Sequence, residues 1–346
     1  MIAVKYAGRV NTGIVHSHPT ISVALCTHNG LPFVAEQVRS ILHQSEPPSE
    51  LVISDDASSD ETIATIRGIV DRFRAERPAV PLKLVVLLNS SPLGVTANFE
   101  QAILACTGDL VALCDQDDVW VPDRLAVLAG MFAERPELTL VHSDARLVNS
   151  EGEPIGTGLA ASIEFTPAEQ RKVQRGDALG VLLQRNVVTG ATAVFRRELV
   201  HRAVPFPNSW VHDEWLAMIA SITGQVDYLP QPLIDYRQHS GNQIGARRAT
   251  LGDKVSRLTE RRSDRNRRLA ARAAALADHV GHMEDVPDRV RALVRQKAEH
   301  EKWRSALPAS RIGRVIPVLG AALRGRYYRF GRARYDIVRD LLQPAG

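Results

Sequence analysis

Cysteine is scarce in this chain of 346 residues: Cys26, Cys106 and Cys114 are odd in number and lack metal-binding spacing. Two of them fall in apolar runs that read as strands, so buried thiols in a reducing compartment are expected rather than disulfides. No run of about 18 apolar residues occurs, and no transmembrane helix is expected. The first residues lack the apolar core of a signal peptide, which makes a cytoplasmic protein the expectation. No internal repeat is evident. Glycine is sparse where a phosphate loop would need it. After the first predicted strand, Thr27-His28-Asn29-Gly30 offers a single glycine, which argues against a dinucleotide-binding dehydrogenase and against a P-loop enzyme.

Hydrophobic residues at 45% and charged residues at 24% place the chain among soluble globular proteins, long enough for one large domain and an appendage. The net charge of +4 hides an asymmetry. Residues 237–346 hold 25 Lys and Arg against 11 Asp and Glu, a balance of +14, and 1–236 carry −10. A basic tail on an acidic body implies an anionic partner for the tail.

From residue 20 onward, short apolar runs alternate with helical stretches. Strands are expected at Ile21–Thr27, Leu51–Ser54, Leu82–Leu88 and Leu110–Cys114. Helices are expected at Pro32–His43, Asp60–Ala75, Val95–Cys106 and Pro122–Arg135. That alternation implies a mostly parallel, doubly wound α/β sheet, in which ligands sit outside the carboxyl ends of the strands. Thr27-His28-Asn29, Asp55-Asp56 and Asp115–Asp118 all fall at such ends, so three polar clusters converge on one crevice. Beyond them, Leu138–His142 and Ala191–Phe195 read as strands and Val211–Ser221 as a helix. Gln225–Ile234 reads as a strand that Pro230 and Pro232 place at an edge or a bend.

Asp115-Gln116-Asp117-Asp118 closes an apolar run. Carboxylates this close repel unless a cation binds them, and Mg²⁺ or Mn²⁺ suits oxygen ligands shared with substrate phosphates. The alternative is a solvated acidic loop with Asp118 or Asp123 capping the next helix. After the second strand, Ser58 or Ser59 is expected to cap a helix, with Asp60 as a further candidate, while Asp56 could accept the imide N–H of a uracil or thymine.

Ile21–Gly30, Val52–Thr62 and Ala112–Leu125 resemble the family 2 inverting glycosyltransferases of GT-A fold. Asn186-Val-Val-Thr-Gly190, His212-Asp-Glu-Trp-Leu216 and Tyr236–Gly245 bring the match nearer to the bacterial rhamnosyltransferase-like branch. The likeness covers residues 20–245, with six motifs in order. It implies a transferase domain over 20–245; residues 1–19, without periodicity, read as a loose arm, and the Arg- and Ala-rich sequence over 246–346 reads as a helical, basic region outside the resemblance. The resemblance also implies a dTDP- or UDP-sugar donor, with L-rhamnose the candidate sugar, a glycan acceptor that could be lipid-linked, a divalent cation and inversion at the anomeric carbon.

On that resemblance, Thr27, Asn29, Asp56 and Asn98 would line the nucleotide pocket, and Gly190 would shape the donor-sugar side. Asp117 would bind Mn²⁺ or Mg²⁺ directly, and Asp115 would contact ribose or metal-bound water. Asp213 would be the base, with helix capping as its rival role. His239 would complete the metal shell or touch the diphosphate, an ordinary hydrogen-bonded histidine being the alternative. Arg237 could pair with the diphosphate or form a surface salt bridge. Glu214 departs from the tryptophan common in the branch and leaves a second carboxylate near the acceptor. Trp210 and Trp215 could stack on sugar faces or pack in the core. Gly241, Asn242 and Gly245 suggest a loop that closes over donor. The rival functions are a transferase of another hexose, a noncatalytic nucleotide-sugar-binding or scaffold protein, and a metal-dependent phosphohydrolase.

The basic run Arg261–Arg268 reads first as a solvated helix face. Ile312–Leu319 and Tyr327–Phe330 mix apolar and basic residues in a way that suits a helix lying on an anionic bilayer, which would make the protein peripheral on the inner face of the cytoplasmic membrane. A homodimer contact suits the composition nearly as well. Nucleic acid is not the expected partner, because aromatics are few and no recognised motif accompanies them.

Overall fold

The computed structural model describes residues 19–239 and 262–344. The arm over 1–19 (Pro19 apart), the loop with Gly241, Asn242 and Gly245, and the boundary at 245/246 lie outside the described residues. The first half alternates as β1 (Ile21–Thr27), α1 (Leu31–Leu42), β2 (Glu50–Asp55), α2 (Thr62–Glu76), β3 (Lys83–Leu88), α3 (Val95–Ala105), β4 (Leu110–Cys114), β5 (Val119–Trp120) and α4 (Arg124–Glu134). It continues with β6 (Leu138–Val148), α5 (Leu159–Ser162), α6 (Pro167–Gln174), α7 (Ala178–Leu182), β7 (Ala193–Arg196), α8 (Leu199–Ala203), α9 (His212–Thr223) and β8 (Gln225–Arg237).

Eight strands form one sheet in the order β3-β2-β1-β4-β7-β6-β8-β5. The first four are mutually parallel, as their helical crossovers require. β7 runs antiparallel to both β4 and β6, so the far half of the sheet is mixed. Every residue of β1 and of β4 is buried, because helices cover both faces. Ala24, Cys26, Val111 and Leu113 point into one core, whereas Val23, Leu25, Leu110 and Ala112 point into the other. All three cysteines are buried free thiols.

The prolines of β8 act as a bend. Pairing with β6 runs from Leu138↔Gln225 to Ser143↔Leu229 and resumes at Asp144↔Pro232, so Pro230 and Gln231 are looped out. The strand then continues past its expected end to Arg237, where Asp235 and Ile234 also pair with the two-residue β5. β6 likewise outruns its expected end at His142, and β7 starts two residues late because Gly190–Thr192 forms a 3-10 turn.

Past residue 261 come α10 (Arg262–His282), α11 (Asp288–Ser305), α12 (Arg311–Leu323), α13 (Arg326–Phe330) and α14 (Arg334–Leu342). Leu276 and Val280 of α10 and Val294 of α11 join the core on one face of the sheet, so this helical module is packed onto the α/β domain. Its outer half has a small apolar core of Leu307, Val318, Ala321 and Tyr327. A buried ionic cluster holds it as well. Arg304 meets Asp340 at 2.7 Å, Glu301 at 3.0 Å and Asp336 at 3.4 Å. Arg262 and Arg314, both buried, donate to backbone carbonyls. The expected solvated face at Arg261–Arg268 is therefore only half solvated: Arg267 and Arg268 are exposed, whereas Arg262 and Asn266 face inward.

Candidate functional site

The carboxyl ends of β1, β2 and β4 lie side by side, with Thr27 opposite Asp55 and Leu25 opposite Cys114. Thr27 Oγ1 donates to Asp55 at 2.7 Å, and Asp55 also receives the Ser58 N–H and hydroxyl. Asn29 occupies the left-handed region at φ 48, unusual for a residue with a side chain. Its N–H donates to Ser58 Oγ at 2.8 Å, and its side-chain oxygen accepts the Ser59 N–H at 2.9 Å. Ser58 and Ser59 are thus committed to the loop after β1, which corrects the expectation that one of them caps α2. Asp60 serves that end, accepting the Thr62 N–H at 3.0 Å.

Asp56 is buried, and its carboxylate accepts the Leu93 N–H at 2.5 Å and the Gly94 N–H at 3.0 Å. It fixes the turn before α3, where Gly94 has φ 84. Asn98 is turned into the fold. It is buried, accepts from Ser54 Oγ at 2.6 Å and donates to the Ser54 carbonyl at 3.0 Å, tying α3 to β2. Its expected nucleotide contact is corrected accordingly, since both ends of the amide already have protein partners.

Gln116 had no part in the sequence argument, yet it joins the two strand ends. Its amide accepts from the His28 N–H at 2.8 Å and donates to the His28 carbonyl at 3.0 Å. Gly30 makes room for it, because a Cβ there would stand 2.3 Å from Gln116 Oε1. Nothing in the sequence signals this contact, which spans 88 positions.

The acids around Gln116 take distinct roles. Asp118 is buried; one oxygen accepts the Arg237 N–H at 3.0 Å, and the other has no hydrogen-bond partner. Burial first, then the charges of Asp117 and Asp115, push its carboxyl well above the usual range. Asp117 is met by His239 Nε2 at 2.7 Å. Asp115 is pushed up to about 7 by burial, then by Asp117 and Asp213. Asp213 therefore belongs to the same electrostatic group although 98 residues separate it from Asp115. The phenol of Tyr236 is raised by burial and by all four of these aspartates, which puts it in their midst. Arg237 forms the expected salt bridge, with the exposed Glu36, but its own end of the pair is buried. It is buried and donates to the Asp117 carbonyl at 2.8 Å, the Ser150 carbonyl at 2.7 Å and Glu36 at 2.6 Å.

Asp213 stands in the first turn of α9, one residue past the start of a helix whose N-cap, Val211, makes no side-chain hydrogen bond. Its carboxylate accepts the Gly190 N–H at 2.9 Å and the Glu214 N–H at 2.7 Å. Burial raises its pKa, and those two bonds hold the rise down. A Cβ on Gly190 would lie 3.2 Å from Asp213 Cβ and 3.1 Å from His212 Nε2, so the close approach depends on glycine there. His212 stacks on Phe99 at 3.8 Å, and burial lowers its pKa to about 3, so it is neutral.

The aromatic and acidic neighbours of Asp213 are turned elsewhere. Trp215 is 0% exposed and donates its indole N–H to the Ala203 carbonyl at 2.7 Å, so it is core and cannot stack on a sugar. Trp210 donates to the Arg272 carbonyl at 3.0 Å and lies 4.2 Å beneath the Arg272 guanidinium. Glu214 is ion-paired with Arg272, a residue of α10. Trp210, Glu214 and Arg272 border a cavity of about 210 Å³ between the α/β domain and the helical module. Asp115, Asp117 and Asp213 do not line it.

Among the described residues, no group of three or more His, Cys, Asp or Glu side chains is placed to hold a metal ion. The donor chemistry nevertheless fits a hard divalent cation. A carboxylate and an imidazole touch at Asp117 and His239, beside carboxyl groups whose mutual repulsion raises Asp115. Two protein donors leave the remaining positions to water and substrate phosphate oxygens, as Mg²⁺ commonly arranges.

The glycosyl transferase family 2 model matches residues 22–203. An uncharacterised protein of Mycobacterium tuberculosis is 28% identical over 76% of this chain and 70% of its own length. The dTDP-rhamnosyl transferase RfbG of Shigella flexneri is 24% identical over 64% of this chain and 74% of its own. Among solved structures, Staphylococcus aureus TarS in complex with UDP-GlcNAc superposes with a TM-score of 0.56 at 16% identity, covering 92% of this chain and 89% of TarS. The Pyrobaculum calidifontis mannosyltransferase PcManGT, in complex with GDP-Man and Mn²⁺, gives 0.52 at 19% identity over 94% and 86%. These structures share the fold.

Proposed function

The chain belongs to glycosyl transferase family 2 and is a glycosyltransferase; from that premise we propose that it is an inverting enzyme that uses a divalent cation. In this reading it moves a hexose, with L-rhamnose the first candidate, from a dTDP- or UDP-linked donor to a glycan acceptor. One observation carries the reading: Asp115, Asp117 and Asp213 form one electrostatic group at the carboxyl ends of the strands, and two backbone N–H groups fix the Asp213 carboxylate. The likeness to RfbG supports the choice of nucleotide and sugar. The donor complexes of TarS and PcManGT, with UDP-GlcNAc and GDP-Man, support a nucleotide-sugar donor in general.

The step assigned to the chain is a single displacement. Asp213 takes the proton of an acceptor hydroxyl, that oxygen bonds to the anomeric carbon, and the bond from this carbon to the diphosphate oxygen breaks with release of nucleoside diphosphate. A carboxyl held above its ordinary pKa by burial is the better proton acceptor for this role. A bound divalent cation, held by Asp117 and His239, supplies charge neutralisation for the diphosphate. Thr27 and Asn29 shape the edge of the nucleotide pocket through the loop they lock, and Asp56 reads the base while anchoring the turn before α3.

Glu214 need not be a second catalytic acid. Its departure from the tryptophan of the branch is matched by Arg272, which neutralises it. In this reading the acceptor hydroxyl comes to Asp213, whereas Trp210 and Glu214 border the separate cavity against the helical module.

Calorimetry tests the reading with dTDP, UDP, GDP and CMP, each with and without Mn²⁺, on wild type and Asp117→Ala. Mn²⁺-dependent binding of dTDP or UDP, weakened about tenfold or more in the variant, is expected. Binding of GDP alone would transfer the proposal to another donor, and binding that ignores both Mn²⁺ and Asp117 would overturn the metal role.

A further inference from the structure

The outer surface of the helical module has a composition unlike the rest of the molecule. Ile312, Ile316 and Leu323 are 85%, 84% and 90% exposed, and Val315 and Leu319 are exposed beside them. At 100° per residue these five side chains occupy an arc of about 100° on α12. The opposite side of the helix is fixed: Arg314, Val318 and Ala321 are buried, and Arg314 donates to the Asp340 and Gln343 carbonyls at 2.8 and 3.0 Å. The stripe is therefore a built face of an ordered helix. Tyr335, Val338 and Leu342, at helical spacing on the neighbouring α14, are exposed as well.

The charges around the stripe are of one sign. Residues 311–344 contain eight arginines and two acids, Asp336 and Asp340. Both acids are buried against Arg304, whereas Arg311, Arg324, Arg329 and Arg334 are exposed. What this region presents to its surroundings is aliphatic and cationic, with no exposed carboxylate.

We propose that α12 lies flat on an anionic lipid bilayer, with Ile312, Val315, Ile316, Leu319 and Leu323 in the acyl boundary and Arg311 and Arg324 at its two ends among the headgroup phosphates. Isolated exposed aliphatics are ordinary on a soluble protein, but a contiguous stripe is not. At 13 residues the helix is about 20 Å long, and no described helix is long and apolar enough to cross a membrane. The geometry is that of an interfacial helix. A second copy of the chain is the weaker occupant. A two-fold contact would bring the same patch from each copy together and set exposed arginines against exposed arginines with no exposed acid in the patch to pair them. The inference stands apart from the donor and metal assignments, because none of these residues belongs to the crevice.

The test is co-sedimentation of the full chain with phosphatidylcholine vesicles and with vesicles containing one-third phosphatidylglycerol, at low and at moderate salt. Two variants accompany wild type: Ile312→Ser/Ile316→Ser/Leu323→Ser and Arg311→Gln/Arg324→Gln. Wild type is expected to sediment with the anionic vesicles only. The triple variant should partition roughly a hundredfold more weakly, and the arginine variant roughly tenfold more weakly with a shallower salt dependence. Unchanged circular dichroism and thermal melting would show that both remain folded. Should the triple variant fold poorly, the arginine variant carries the test alone. Wild type that ignores anionic vesicles, or variants that sediment like wild type, would overturn the proposal. So would a dimer in sedimentation velocity that the triple variant dissolves while wild type leaves vesicles unbound.

Discussion

The crevice of the transferase domain and the core of the helical module both bury aspartates, and they treat them in opposite ways. In the module, Asp336 is held far below the ordinary carboxylate range, the Arg304 and Arg265 charges overcoming the cost of burial, and Glu301 is lowered by Lys297 and Arg304 against the same cost. In the crevice, burial and neighbouring carboxylates raise Asp115 to about 7, and burial raises Asp213. Matched acids in the module act as structure, because each has a guanidinium or ammonium partner already present. Unmatched acids in the crevice carry unfavourable charge, which the proposed cation and proton transfer would relieve. Burial alone does not separate the two kinds of site; the sign of the neighbours does.

The largest expected break falls on the crevice. Asp213→Asn keeps the size and one acceptor oxygen but removes the proton acceptor, and should lower kcat by about 10²–10⁴-fold with donor affinity unchanged. Steady-state transfer assays and donor titration read the two effects separately. Near-normal turnover would dismiss Asp213 as the base. On the module side, Arg304→Ala leaves three buried acids facing one another and should cost about 3–5 kcal/mol of stability, read from urea denaturation. Transfer chemistry per folded molecule should not change.

The pH dependence sharpens the contrast. Glu301 and Asp336 have folded pKa values below their unfolded ones, so the unfolded chain binds more protons as pH falls. Their stabilisation is complete above about pH 5 and is lost progressively below the unfolded value near 4. Asp213 has the opposite sign: its folded pKa is raised, so acid favours its folded, protonated form. Urea midpoints followed through Trp303, which packs on the module core, should fall between about pH 5 and 3. A midpoint flat across that window would show that the ionic cluster contributes little. The smallest effect is assigned to Gln116→Ala, which loses two hydrogen bonds to the His28 backbone; at a net worth of about 1 kcal/mol per bond it should weaken donor binding, read by the same titration, by about thirtyfold at most.

Much of the sheet was legible because buried parallel strands are written as unbroken apolar runs. Ile21–Thr27 and Leu110–Cys114 run as expected, and the crevice follows from where such runs end. The paired nature of distant positions was not legible. Asn98 looked available for a nucleotide until Ser54 was seen to occupy both ends of its amide. Trp215 stayed open between a sugar platform and the core, since one sequence does not reveal which face of α9 meets the core. The run Arg261–Arg268 read as solvated because charge normally is; the inward-facing Arg262 finds carbonyls more than 40 residues away. Glu214 looked anomalous until Arg272 supplied its counter-ion.

The looped-out pair Pro230-Gln231 has a consequence for how the gene can change length. Side chains on a strand alternate faces, so the residues beyond the loop-out are phased by it together with a second register shift between Pro232 and Asp235: Tyr236 sits near the acids, and Arg237 donates its N–H to Asp118. Losing one codon between Leu229 and Leu233 would shift that phase by one residue. The phenol would leave the acids and its neighbour would take its place, although no residue of the crevice had been altered. Point substitutions in this stretch should be tolerated far more readily than single-residue insertions or deletions.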